Sequence, residues 1–299
     1  MKKSILPLLV AFILIGSASA SVLSSQDLYI ANGYGGVSKI EAGSRNPVNI
    51  YPNIINGDST SIAFNPNGDL FIGNGGNDTV AMIPHGTTNA LNITPSGTWF
   101  PLGMTSDKNG NIYIANYNSG TVTKISSGSL YASDILYDQY ACAGIAANSS
   151  GDLFIANYNF STLQVLSHES GNLTSLNSSG LLNPIQMAFD NNENLFIANV
   201  GSPTIYQLIK GQSSVTPFVS FGSSAIGGIA IDNNNNIFFS QDNNIYVIED
   251  GTTTPSLYGT SSILPMRLAF DPVPEPSTYA LFGLGAIGML ILMQRKKNA

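Results

Sequence analysis

One four-residue pattern recurs six times along this chain of 299 residues, at intervals of 41 or 42 residues. Five copies place an aromatic residue before Ile, a small residue and Asn, and the sixth is a variant of the same pattern. The copies are Tyr29-Ile30-Ala31-Asn32, Phe71-Ile72-Gly73-Asn74, Tyr113-Ile114-Ala115-Asn116, Phe154-Ile155-Ala156-Asn157, Phe196-Ile197-Ala198-Asn199 and Phe238-Phe239-Ser240-Gln241. A repeat of this length indicates a unit that cannot bury its apolar face alone, so successive copies must pack on one another.

Each repeat contains four short apolar segments, which predict four β-strands. In the third repeat these are Leu102–Ser106, Ile112–Asn116, Thr121–Ser126 and a more polar strand at Ser133–Tyr137. The segments are rich in Val, Ile, Tyr, Phe and Thr and are bounded by Gly and Asn, which is typical of short antiparallel strands. Four strands at this period predict the blade of a β-propeller.

A turn rich in Asn, Asp and Gly recurs between the first and second strands, as in Asp107–Asn111. Its leading Asp or Asn can accept bonds from amides two or three residues on, and Gly at the fourth place accepts the left-handed conformation. Asn235 tolerates that conformation, and Glu193 adopts it at a cost of about 1 kcal/mol. The alternative is a calcium-binding loop, but no bidentate acid follows at a fixed distance as an EF-hand needs. We therefore predict structural turns and no metal site.

The phase of the repeats predicts how the ring closes. The chain enters at a second strand, Asp27–Asn32, and leaves with a lone first strand, Met266–Asp271. This last segment can supply the missing innermost strand of the first blade and leave no long free edge. We therefore predict an all-β fold for residues 21–272, a six-bladed β-propeller with four-stranded antiparallel blades and a three-plus-one closure.

The consensus Asp-x-x-Gly-Asn-aromatic-Ile-Ala-Asn resembles the NHL repeat. The resemblance spans the whole body of the chain, residues 27–272. Departures occur at Glu193 and at Phe239-Ser240-Gln241. The tryptophan–aspartate type of propeller is excluded because the chain has one Trp, Trp99, and no such dipeptide. The resemblance implies an NHL-like six-bladed propeller.

Both ends of the chain predict targeting segments. Residues 1–20 combine Lys2 and Lys3, an apolar stretch and Ala18-Ser19-Ala20, which predicts a signal peptide and export. Residues 273–299 contain Pro274, Glu275 and Pro276, then an apolar run at 278–293 that predicts a transmembrane helix, and then the basic end Arg295-Lys296-Lys297.

This tail resembles the PEP-CTERM sorting signal of bacteria that make exopolysaccharide. The resemblance implies exosortase as a partner, anchoring in the membrane before processing, and a final place at the cell surface or outside the cell. A plain C-terminal anchor is the alternative. Whether the tail is cleaved or retained is left open by the sequence.

The charge of the body excludes one class of partner. Between the two targeting segments, six basic residues stand against seventeen acidic ones, a net charge of −11. Nucleic-acid binding needs Lys and Arg to neutralise phosphates, so we expect no nucleic-acid partner. The single cysteine, Cys142, is expected to be a small buried residue.

The loops between second and third strands lie on one face of a propeller and are rich in amides and aromatics. This combination suits a sugar, whose hydroxyls need donors and acceptors and whose C–H face stacks on rings. The binding candidates from these loops are Tyr34, Tyr117, Tyr158, Asn116 and Asn157. The alternatives are that the Asn residues organise the loops and that the Tyr residues pack against the core.

One position in each first strand is expected to line the central channel. These positions hold Ser61, Gly103, Gly144, Gln186, Gly228 and Arg267. Arg267 is the one charged residue of the set and therefore a further binding candidate. None is a carboxylate, although the related gluconolactonase-type propellers hold a divalent metal there with Glu, Asn and Asp, so we predict no catalytic metal and no cofactor.

The sequence thus predicts an exported, non-catalytic propeller that is a binding or structural component associated with exopolysaccharide, with polysaccharide as a possible partner. His85 and His168 fall in different blades and away from the expected channel, which disfavours a histidine-based centre. A metal-dependent lactonase or hydrolase of the gluconolactonase type and a protein–protein interaction scaffold are the alternatives. The ligand, the oligomeric state and whether any loop binds calcium are left open.

Overall fold

Short runs of β-branched and aromatic residues, separated by Gly- and Asn-containing turns, form the strands of this protein. The computed structural model describes residues 24–33, 36–51, 58–93, 100–137, 139–262 and 265–272. In these ranges there are 24 strands and no helix. The predicted signal peptide, the predicted helix at 278–293 and Tyr34 lie outside the described residues.

The strands of the first three blades are β1 (Leu28–Asn32), β2 (Val37–Ile40), β3 (Val48–Tyr51), β4 (Ser59–Phe64), β5 (Leu70–Asn74), β6 (Thr79–Ile83), β7 (Leu91–Ile93), β8 (Pro101–Ser106), β9 (Ile112–Asn116), β10 (Thr121–Ile125) and β11 (Ala132–Leu136). The remaining strands are β12 (Cys142–Ala147), β13 (Leu153–Asn157), β14 (Thr162–Leu166), β15 (Leu173–Leu176), β16 (Pro184–Phe189), β17 (Leu195–Asn199), β18 (Thr204–Leu208), β19 (Thr216–Ser220), β20 (Ile226–Ile231), β21 (Ile237–Gln241), β22 (Asn244–Ile248), β23 (Ser256–Thr260) and β24 (Pro265–Phe270).

These strands form six four-stranded antiparallel sheets, which are the blades. Five sheets use four consecutive strands, and the remaining one has the order β24-β1-β2-β3. In that sheet Leu28 pairs with Phe270 and Ala31 with Arg267. The predicted six-bladed propeller and its three-plus-one closure are therefore confirmed, with strand bounds within one residue of those expected.

The innermost strands approach one another very closely around the axis. A Cβ atom added at Gly103 would lie 2.3 Å from the carbonyl oxygen of Ala143 in the next blade. One at Gly144 would lie 3.0 Å from that of Ile185. Glycine at these places lets adjacent blades bring their inner strands together, and apolar side chains fill the space between the sheets farther out.

The turns after the first strands have the predicted left-handed residue at the fourth place. Its φ angle is positive in the five turns, at Gly68 (83°), Gly110 (81°), Gly151 (89°), Glu193 (63°) and Asn235 (63°). These turns lie at one end of the ring, which we call the turn face. The loops between second and third strands lie at the opposite end, which we call the loop face.

Candidate functional site

The loop face is built from two kinds of loop that bond to each other. One kind joins the second and third strands of a blade, and the other joins successive blades. In the third blade, Gln139 N–H donates to the Gly120 carbonyl at 2.8 Å, and Tyr117 N–H donates to the Phe100 carbonyl at 3.1 Å. Phe100 and Ala141, each just before a first strand, have positive φ angles of 58° and 59°. The loop face is thus held by internal hydrogen bonds in a defined and locally strained conformation.

Asn116 is fully buried beneath this face. Its Nδ2 donates to Thr121 Oγ1 at 3.1 Å and to Thr123 Oγ1 at 2.7 Å. Its Oδ1 is buried and has no partner among the described residues. The side chain therefore organises the loop that follows β9 and does not present its amide on the surface.

Asn157 has the same kind of role between two blades. Its Nδ2 donates to the carbonyls of Gln139, at 2.7 Å, and of Tyr140, and its Oδ1 accepts from Phe160 N–H at 3.0 Å. Gln241 bonds the loop before its own blade in the same way, through Phe221 O and Ser224 O. Asn116 and Asn157, the two amide candidates, thus hold the loops in place through hydrogen bonds. This is the alternative role that the sequence left open for them.

The aromatic candidates form a row that crosses from the third blade to the fourth. The ring centroids of Phe100 and Tyr117 are 6.1 Å apart. Those of Tyr117 and Tyr158 are 5.8 Å apart in an edge-to-face arrangement. Tyr117 Oη also donates to Asn159 Oδ1 at 3.2 Å. Tyr117 and Tyr158 are half-buried and pack against a core cluster, so each has one part in the core and one part at the surface.

Two aromatic side chains beside this row are far more exposed. Tyr140 is 71% exposed and Phe160 is 68% exposed, and both belong to loops of the loop face. Leu182, in the next blade-joining loop, is also exposed. Loop position alone does not distinguish Phe160 from Tyr158, since the two are two residues apart in the same loop. The composition of this loop nevertheless indicated a binding surface, because four of the five residues Asn157–Ser161 are amides or aromatics.

Arg267 lies in the central channel, as expected, and its side chain is only 2% exposed. Nη1 donates to the carbonyls of Gly227, at 3.1 Å, and of Met266, at 2.9 Å. Nε and Nη2 are buried and have no hydrogen-bond partner among the described residues. Burial lowers the pKa of Arg267 to about 10, so the guanidinium is still charged at neutral pH.

A cavity of about 210 Å³ adjoins Arg267 on the side of the loop face. It is lined further by Gly227, Ser240, Met266 and Asp242, among others. Asp242 is exposed, so the cavity reaches the surface beside a carboxylate. No ion pair joins Arg267 to an acid within the described ranges.

A second cavity of about 290 Å³ occupies the channel end at the turn face and is lined by Gln186. The Gln186 side chain bridges inner strands of different blades. Its Nε2 donates to Leu268 O at 2.7 Å, and its Oε1 accepts from Ile229 N–H at 3.1 Å. Gln186 thus has a structural role in the channel, in contrast to Arg267 with its two unpartnered nitrogens.

Both histidines lie away from the loop face. His85 and His168 follow the third strands of their blades, at the turn face, and both are exposed. Their backbone N–H groups donate to Asp69 and Asp152, which belong to the adjacent turns. In the part of the chain that the structure describes, no three His, Cys, Asp or Glu side chains come together as metal ligands. No helix there is long and apolar enough to cross a membrane.

Comparisons with solved structures agree with the fold. A chain of the crystal structure of a nidogen/laminin complex matches with a TM-score of 0.70 and 12% identity, over 82% of this chain and 98% of that one. Virginiamycin B lyase from Staphylococcus aureus matches with a TM-score of 0.63 and 14% identity, over 80% of this chain and 82% of that one. At such low identity these matches show the fold alone. No match was found among curated protein sequences.

The C-terminal segment is identified by its sequence. Residues 272–296 match the family model of the PEP-CTERM protein-sorting motif, which confirms the prediction from Pro274, Glu275 and Pro276. This motif is the signal that exosortase recognises, so the chain is an exported protein that is anchored in the membrane before processing. The protein is therefore a six-bladed β-propeller followed by a PEP-CTERM sorting signal.

Proposed function

We propose that this protein is a non-catalytic binding or structural component of the cell envelope or extracellular matrix, associated with exopolysaccharide through its loop face. The observation that most supports this is the aromatic surface formed by the Tyr117–Tyr158 row and the exposed Tyr140 and Phe160. Rings that are fixed by packing on one side lose little conformational freedom when a sugar stacks on the other side. Tyr34 belongs to the same set of loops by sequence.

A protein–protein scaffold is the second candidate. Tyr140, Phe160 and Leu182 are exposed apolar side chains on one face, and such side chains also suit a protein partner. A structural neighbour of the same fold occurs in a nidogen/laminin complex. A protein partner would bury these side chains together, whereas a sugar would stack on single rings.

An enzymatic role has less support from the geometry. Virginiamycin B lyase shares the fold and is an enzyme, but 1380 solved chains match this one, so the fold does not select an activity. The two histidines of this chain lie exposed at the turn face, far from the aromatic loops. Purified protein that turned over a lactone or hydrolysed a glycan would contradict the non-catalytic proposal.

The proposed binding can be tested with the mature exported protein and exopolysaccharide purified from the producing bacterium. We expect wild-type protein to co-sediment with the polysaccharide, and Phe160→Ala and Tyr140→Ala to reduce the bound fraction severalfold, since each removes an exposed stacking surface. Tyr131→Ala is the matched control, because Tyr131 is 86% exposed at the turn between β10 and β11, on the turn face. Equal losses in all three variants would contradict binding at the loop face.

The final location of the protein needs a separate measurement. We propose that exosortase cleaves the tail near Pro274-Glu275-Pro276 and releases the propeller to the cell surface or the matrix. Mass spectrometry of the mature C-terminus should then find a terminus near residue 273–278, and an exosortase deletion should restore the full chain in the membrane fraction. An unprocessed C-terminus in wild-type cells would show that the tail is a plain anchor.

A further inference from the structure

Arg267 combines three properties that a purely structural arginine does not need. It is almost fully buried, it has no acidic partner among the described residues, and it adjoins a cavity that reaches the loop face. Leaving a buried charge without a counter-ion is strongly unfavourable. The backbone carbonyls of Gly227 and Met266 offset part of this cost, but they bond only to Nη1.

The pattern of used and unused nitrogens defines the ligand that would fit. Both hydrogen bonds of the guanidinium come from Nη1, which leaves Nε and Nη2 unpartnered within the described ranges. Nε–H and one Nη2–H point in parallel along one edge of the planar guanidinium, and this edge matches the two oxygens of a carboxylate. A neutral hydroxyl would satisfy only one of these donors.

The size and charge of the surroundings limit the ligand further. The cavity volume of about 210 Å³ is below the ~300–1,000 Å³ of pockets that take drug-sized molecules. The body has a net charge of −11, which repels a long polyanion laid across the surface. A single small carboxylate at the end of a molecule avoids most of that repulsion.

We propose that the cavity beside Arg267 binds the carboxylate of a terminal acidic sugar, through the Nε and Nη2 donors of this arginine, which have almost no exposed surface in this structure and become accessible when the ligand binds. The carboxylate enters from the loop face past Asp242, which lines the cavity and is exposed. The identification of the ligand as a sugar acid rests on the proposed association with exopolysaccharide. The carboxylate site itself depends only on the cavity and Arg267.

The site can be tested by calorimetric titration of the mature protein with sodium glucuronate, with glucose as a neutral ring of the same size. We expect glucuronate to bind with one-to-one stoichiometry and glucose not to bind at the same concentration. Arg267→Lys keeps the charge but lacks the two-nitrogen edge, so its affinity for glucuronate should fall at least about tenfold. Equal binding of the two sugars, or unchanged affinity in Arg267→Lys, would overturn the proposal.

A second variant keeps the test decisive if Arg267→Lys does not fold. Asp242 is exposed and lies in the left-handed region with a φ of 53°, which Asn also tolerates. Asp242→Asn removes a like charge at the cavity entrance, and we expect the affinity for glucuronate to rise about two- to fivefold. A lower or unchanged affinity would contradict carboxylate entry at this point.

Whether the bound carboxylate belongs to a terminal sugar or to a free acid is tested with an oligosaccharide that ends in glucuronate. Tighter binding than free glucuronate supports a terminal sugar acid, whereas no binding of the oligosaccharide overturns that identification and leaves a free acid as the ligand. Glucuronate binding without co-sedimentation on exopolysaccharide would contradict the proposed function alone. Co-sedimentation without glucuronate binding would contradict this inference alone.

Discussion

The first and fifth residues of each of the five turns between first and second strands form one carboxylate–amide pair. In Asn148–Asp152 the amide comes first and its Nδ2 donates to Asp152 Oδ2 at 3.0 Å. In Asp190–Asn194 the order is reversed and Asn194 Nδ2 donates to Asp190 Oδ2 at 2.8 Å. The other three turns follow one or the other order. The turn therefore requires an amide donor at one of these two positions and a carboxylate acceptor at the other, in either order.

This complementarity gives a prediction for the fifth blade. Asn194→Asp places two carboxylates across the 2.8 Å contact, so the free energy of unfolding at pH 7 should fall by about 1–3 kcal/mol. The double variant Asp190→Asn/Asn194→Asp recreates the Asn148–Asp152 pair and should recover most of the loss. Urea unfolding of the three proteins at pH 7 measures this, and a double variant no better than the single one would contradict it.

At the same scale, burial and hydrogen bonding compete at Asp107. Burial opposes the charged form, but hydrogen bonds from Asn111, Tyr113 and Asn109 outweigh it and hold the pKa of Asp107 below its usual value. Tyr113 shows the opposite shift, because burial and the neighbouring Asp107 raise its pKa to about 12. Both shifts favour a charged carboxylate at Asp107 and a neutral phenol at Tyr113 at neutral pH.

At the scale of a strand, Cys142 shows how the start of a first strand holds the loop above it. Its Sγ donates to the carbonyls of Asn116, at 3.4 Å, and Thr121, at 3.2 Å, both in the preceding blade. Ser59, at the start of β4, donates in the same way to the carbonyls of Asn32 and Gly36. A side-chain donor at this place thus links two blades beneath the loop face.

We expect Cys142→Ser to preserve this link and Cys142→Ala to lose it. Cys142→Ala should therefore lower the free energy of unfolding by about 1–2 kcal/mol, because two buried carbonyls lose a donor. Burial raises the pKa of the Cys142 thiol to about 12, so wild-type stability should fall as the pH rises from the unfolded-state pKa, near 9, because only the unfolded chain ionises there. Cys142→Ser lacks this titration and should lose less stability between pH 9 and pH 11. An Ala variant as stable as the Ser variant would contradict the proposed link.

The strands and turns could be predicted from sequence because their determinants are local. Gly, Asn or Glu at the fourth place of a turn and alternating apolar residues act within a few positions of each other. The exposure of loop side chains is different, since it depends on contacts between blades. Asn157 is buried because Gln139 and Tyr140 of the preceding blade-joining loop cover it. Likewise, which nitrogens of the Arg267 guanidinium are left without a partner depends on the position of Gly227 in the last blade, since Nη1 donates to its carbonyl.

At the scale of the whole ring, the residues that depart from the turn consensus tie neighbouring blades together. Glu193 Oε1 accepts from Ser149 N–H of the fourth blade at 3.0 Å, and Asn235 Oδ1 accepts from Asn191 N–H of the fifth blade at 2.9 Å. The left-handed strain at Glu193 and Asn235 is thus offset by bonds that Gly could not make. The next bond of this kind, between the last blade and the first, comes from Gln26, which accepts from Asn233 N–H at 2.7 Å.

Gln26 also bonds the closing strand, which makes it a test of how the ring is locked. Its Nε2 donates to Asp271 O at 2.8 Å, just after β24, and the residue is buried. Gln26→Ala removes both of these buried hydrogen bonds, so the free energy of unfolding should fall by about 1–3 kcal/mol. Amide hydrogen exchange should increase in Pro265–Phe270 more than in Ile226–Ile231, because the closing strand is joined to its blade from the far end of the chain. Gln212→Ala, at an exposed surface position, is the control. An equal rise in both segments would mean that blade packing, and not this closing contact, holds the ring shut.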